Sequence, residues 1–88
     1  MPTIVIRHKV GNFDTWLAGH EDRVKVFAPF GSGFETYRDV DNPDWITLVA
    51  HVTDMEKMQE VMNDPENKKY MDKHTVIEPM FISMPVDV

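Results

Sequence analysis

The chain has 88 residues, a formal net charge of −6, 42% hydrophobic residues and no cysteine. That length supports one domain over residues 1–88, since two cores would each bury too little apolar surface. The composition excludes a disordered chain, a disulfide framework, a thiolate nucleophile and a thiolate metal site.

No apolar run approaches the ~18 residues of a membrane span, and the N-terminus lacks the basic and apolar regions of a signal peptide. The expectation is a cytoplasmic protein with no membrane partner. Nucleic acid is also disfavoured. Arg7/Lys9, Arg23/Lys25 and Lys68/Lys69 are isolated basic pairs among acidic neighbours, not a stripe that could track phosphates.

Thr3 to Val10 alternates, with Ile4, Ile6, His8 and Val10 on one face and Thr3, Val5, Arg7 and Lys9 on the other, which predicts a strand. Gly11-Asn12 breaks it, and Asn12 is a helix cap. Phe13, Trp16, Leu17, His20, Val24 and Phe27 then form one apolar stripe on a helix of about four turns, with Gly19 inside it. Pro29 and Gly31-Ser32-Gly33 end that helix.

Phe34 to Val40 reads as a second strand, and Asp41-Asn42-Pro43-Asp44 as a turn. Trp45 to Val52 is a third strand, antiparallel to the second. It turns Ile46, Leu48, Ala50 and Val52 one way and Thr47, Val49 and His51 the other. Thr53 and Glu56 match a capping box and open a helix with Met55, Met58, Val61 and Met62 as its stripe. Asp64-Pro65 starts a further short helix, ending near Lys73 and carrying Tyr70 and Met71. Met80 to Pro85 is the last strand.

The order β–α–β–β–α–β is a ferredoxin-like α+β fold: a four-stranded antiparallel sheet with helices on one face. Val5, Val49 and Phe81 fall on the other face and are too apolar for open water. A second copy of the chain, related by two-fold symmetry, is the simplest cover, so the expected partner is a homodimer through the sheet face.

Several segments together resemble the antibiotic-biosynthesis-monooxygenase-like, dimeric α+β barrel superfamily. They are Val5-Ile6-Arg7-His8-Lys9-Val10, Asn12-Phe13 with Trp16, Phe34-Glu35-Thr36-Tyr37-Arg38, the Asp41-Asn42-Pro43 turn and the Asp64-Pro65-Glu66 break. The resemblance covers nearly the whole chain. It implies two ferredoxin-like subunits pairing sheet to sheet, with a cavity in each between sheet and helices. Members include cofactor-independent monooxygenases of polycyclic aromatic substrates, haem-degrading enzymes and small isomerases.

Quinone-forming members line the pocket with Asn, Trp and Arg. Asn12, Trp16 and Arg38 are the same residue types, without a position-by-position match. Haem-degrading members carry an Asn early in the first strand and a His on the second helix. This first strand has no Asn, and His74 follows the helix.

The four histidines are the groups that titrate near neutrality. His8 and His20 could meet across the layer between strand and helix. They are then half-buried residues bonded to backbone or to each other, or an acid/base pair in a substrate pocket. A metal pair is the third alternative, though no His-x-His or His-Glu-x-x-His spacing supports one. Phe13, Trp16 and Met62 are the candidate pocket walls. His51, on the opposite face, is a barrel-interior or interface residue that can also touch a ligand.

The function expected is a small dimeric enzyme, monooxygenase-like and using no metal or organic cofactor, that acts on an apolar or aromatic small molecule. The alternative is a non-catalytic small-molecule-binding or structural dimer.

Overall fold

A computed structural model describes residues 3–87. Its elements in chain order are β1 (Thr3–Val10), α1 (Phe13–Ala18), α2 (His20–Phe27), β2 (Gly31–Arg38), β3 (Trp45–Val52), α3 (Met55–Asn63), α4 (Pro65–Lys73) and β4 (Val76–Ser83). The four strands form one antiparallel sheet in the order β2-β3-β1-β4. This is the expected ferredoxin-like α+β arrangement, with the first predicted helix divided in two and the expected pair α3 and α4 in place.

Alternation along β1 and β3 makes the core. Ile4, Ile6, Val10, Ile46, Leu48, Ala50 and Val52 are buried under the helices, together with Trp16, Phe27, Phe30 and Met58. Register pairs Ile6 with Leu48 and His8 with Ile46, so His8 sits in the middle of this apolar layer. β4 is an edge strand whose register against β1 shifts between Arg7 and Lys9: Phe81 faces Arg7 and Ile77 faces Lys9. Residues 78–80 therefore span the place of His8 alone. The irregularity carries a cis Glu78-Pro79 bond and leaves Met80 packed against the core. The expected strand at Met80 begins earlier, at Val76, because an edge strand tolerates Pro79, which has no N–H to donate.

The single helix expected over Phe13 to Phe27 is two helices. Asn12 caps α1 as predicted, its side chain accepting from the Thr15 N–H. The axis breaks at Gly19, whose N–H bonds to the Trp16 carbonyl three residues back. The break shifts the helical phase. Trp16 and Phe27 stay buried, Leu17, His20 and Val24 turn to solvent, and Arg23 and Val26 move inward.

A second correction concerns α3, where the cap is Asp54, accepting from the Lys57 N–H, and not Thr53. Asp64 caps α4 with Pro65 in its first turn, as expected. In the β2–β3 hairpin the backbone acceptor is Asp39, whose Oδ1 takes the Asp41 and Asn42 N–H groups. Those bonds hold its carboxyl below the ordinary aspartate range.

Candidate functional site

A cavity lies between the helix-facing side of the sheet and the helices. β1 contributes Ile6 and His8, α1 Trp16, and α2 Asp22, Arg23, Val26 and Phe27. Leu48, Met62, Asn67, Tyr70, Met71, His74, Val76 and Met80 complete the lining. Its free volume is about 60 Å³. A benzene-sized ligand needs roughly 150 Å³, more than the enclosed part of this half-open cavity offers. Met62, Met71 and Met80 line the space, and methionine has the rotamer freedom to adjust it.

His8 is almost fully buried. Its Nδ1 lies 3.0 Å from the Lys9 carbonyl oxygen. A carbonyl only accepts, so Nδ1 carries the proton and Nε2 is the basic nitrogen. Burial lowers the His8 pKa from 6.5; the Lys9 hydrogen bond opposes this, and the positive charge of Arg23 adds to it. The ring is neutral at pH 7 and meets the Trp16 indole edge to face, with centroids 6.0 Å apart.

On the face of the same indole lies Arg23, its guanidinium carbon 3.8 Å from the ring centroid. Nε, Nη1 and Nη2 of Arg23 are all buried, and none has a hydrogen-bond partner among the described residues. Burial pulls its pKa down to about 10, opposed by Asp22, so it keeps its charge at neutral pH. A desolvated cation–π contact is worth about 2 kcal/mol, whereas burying an unpaired ion costs several. Trp16 therefore offsets only part of the cost of this arrangement.

Asp22 acts on Arg23 only through its charge, without a hydrogen bond. Its Oδ2 lies 3.3 Å from His74 Nε2 and 3.9 Å from Lys73 Nζ. The His74 contact is close but poorly aligned, leaving Nε2 buried without a proper hydrogen bond. His74 caps the C-terminus of α4 and is wedged beneath Gly19. A Cβ on Gly19 would stand 2.5 Å from two atoms of the His74 ring, so only glycine admits the histidine here.

Of the residues singled out from sequence, His8, Trp16 and Met62 line the cavity. His20 does not. It is exposed on α2, its ring 5.5 Å from Phe34, beside a separate surface groove. The predicted approach of His8 and His20 fails because the break at Gly19 rotates His20 off the buried stripe. Phe13 packs on Trp16 outside the cavity, and the Arg38 guanidinium carbon lies over the Phe13 ring at 3.7 Å. His51 is on the opposite face of the sheet, its Nε2 2.7 Å from Glu35.

Sequence reasoning missed Arg23, Asp22 and His74 as a group. The available signal was Asp22-Arg23 beside an apolar stripe, but a continuous helix places both in water. Among the described residues, no three His, Asp or Glu side chains converge as a metal site, and no helix is long and apolar enough to cross a membrane.

No family model and no curated protein sequence matches the chain. Solved structures do. One is an antibiotic biosynthesis monooxygenase, 10% identical over 100% of this chain and 99% of that one, with a TM-score of 0.73. Another is SnoaB, a cofactor-independent oxygenase from Streptomyces nogalater, 14% identical over 99% and 94% of the two chains, TM-score 0.73. A conserved protein from Methanosarcina mazei Go1 is 10% identical over 96% and 89%, TM-score 0.70. At such identities the likeness is one of fold, and this chain has the fold of the antibiotic-biosynthesis-monooxygenase-like proteins.

Proposed function

We propose that the cavity is the reaction site of a small oxygenase-like enzyme that works without metal or organic cofactor, as a homodimer joined through the open sheet face. One observation carries this reading: His8, neutral and tethered through Nδ1, presents its basic nitrogen in a cavity that also holds a buried, unpaired guanidinium. Asn67, Trp16 and Arg23 supply the three residue types that the resemblance implies for a quinone-forming pocket. Trp16 is kept from the sequence reading, while Asn67 and Arg23 stand in place of Asn12 and Arg38. Asn12 is occupied as a helix cap, and the Arg38 side chain donates to the Pro43 carbonyl.

In this reading His8 Nε2 takes a proton from an activated C–H or O–H group. The resulting electron-rich anion reduces dioxygen. At a CH2 centre one oxygen atom becomes the new carbonyl, and the other leaves as water with the two hydrogens. Arg23 holds negative charge in a setting that excludes water.

Oxygen uptake with a panel of activated phenols, with and without a carboxyl group, tests the reading. His8→Gln should lower turnover by about 100-fold or more, whereas His20→Ala should leave it unchanged. Equal turnover in His8→Gln removes the base and the reading with it. With His8 held below 6.5, the acid limb of kcat/KM should fall below that value. The free volume of about 60 Å³ favours a second reading, a non-catalytic binder of a very small molecule. A ligand recovered unchanged under oxygen would select it.

A further inference from the structure

We infer that the molecule taken up by the cavity carries a carboxylate, received by the Arg23 guanidinium through a two-pronged hydrogen bond. The inference rests on the reading of this cavity as a ligand site and names the class of ligand. All three guanidinium nitrogens are buried without an acceptor among the described residues. The neighbouring carboxylate of Asp22 is turned to His74 and Lys73. The guanidinium carbon lies 3.8 Å from the Trp16 ring centroid, a contact that satisfies none of the three N–H-bearing nitrogens.

A planar group with two oxygens matches the guanidinium in geometry and charge. A phosphate dianion carries more charge than one guanidinium neutralises and is bulkier than the space favours. The free volume of about 60 Å³ suits a carboxyl group with a short stem. The chain's net charge of −6 gives no general attraction for anions, so any affinity must be local to this cation. Trp16 and His8 line the same cavity as Arg23, so the stem of a carboxylate held by Arg23 shares their space. The ligand class is thus a small carboxylic acid with a short stem.

The test uses sodium acetate as probe, with acetamide as its neutral counterpart and chloride holding ionic strength constant. The readout is the NMR signal of the Trp16 indole N–H in the intact protein. Acetate should shift it saturably, with half-saturation in roughly the millimolar range expected of so few atoms. Acetamide should bind at least about 10-fold more weakly. Arg23→Met should abolish the acetate response, and Arg23→Lys, which keeps the charge and stem but not the fork, should weaken it about 10-fold.

An equal response to acetamide or chloride overturns the inference, as does an undiminished acetate response in Arg23→Met. If Arg23→Met does not fold, an undiminished response in Arg23→Lys overturns it instead. The measurement needs no turnover. Acetate binding without oxygen uptake on any substrate keeps the carboxylate and removes the oxygenase. Uptake without acetate binding does the reverse.

Discussion

His8 and His20 differ in what the fold asks of them. His8 lies on the buried side of β1 and is held neutral by its surroundings, with Lys9 fixing the tautomer. Because its folded pKa is below 6.5, the unfolded chain takes up the proton first as pH falls. The stability tied to neutral His8 is fully present above about 6.5 and is lost as pH drops toward the folded value. Urea unfolding at pH 7 and pH 5 should show this loss, and His8→Gln should reduce the difference between the two pH values. An unchanged difference in the variant would place the acid sensitivity in another group. Arg23 stays charged across this range, so it does not contribute to the change.

At the level of elements, the break between α1 and α2 matters most. Gly19 leaves room for His74, and the new phase of α2 carries Arg23 to the cavity and His20 to the surface. Gly19→Ala forces the His74 ring to move and should cost about 1–3 kcal/mol. The double change Gly19→Ala with His74→Ala should show a strong favourable coupling, readable in a thermal-unfolding mutant cycle. Purely additive losses would mean that the two do not compete for space. At α3, Asp54→Ala should cost about 1 kcal/mol, and Thr53→Ala much less. Asp54 is the residue that accepts from the Lys57 N–H. Equal losses at the two positions would return the cap to Thr53.

Across the whole molecule, the sheet has one face under helices and one open. On the open face Trp45 lies against Phe81, with ring centroids 6.1 Å apart, while Arg7 packs over the Trp45 ring at 4.1 Å. Tyr37, Ile77 and Phe81 remain 55%, 46% and 50% exposed. Register places them on that face, opposite Thr47, Lys9 and Arg7. An apolar area of this kind supports the proposed homodimer. Sedimentation at micromolar concentration should give twice the chain mass, and Phe81→Asp should shift the population to monomer. A monomeric wild-type protein would leave the face without this explanation.

The sequence by itself determined β1 and β3, the class of fold and the sheet's side of the core. Period-two alternation at Ile4-Ile6-His8-Val10 and at Ile46-Leu48-Ala50-Val52 leaves one register that buries the apolar set. The caps at Asn12 and Asp64 were legible for a similar local reason, since each bonds a backbone N–H two or three residues ahead. The partners of His8 were not. A helical stripe counted straight through Gly19 pairs His8 with His20, because a continuous helix fixes 3.6 residues per turn. Only the packed structure, with His74 arriving from α4 to fill the space beside Gly19, decided where the phase changes. That contact joins residues far apart in the chain, and no local pattern encodes it. Arg23, Asp22 and His74 came together around the cavity through tertiary packing alone.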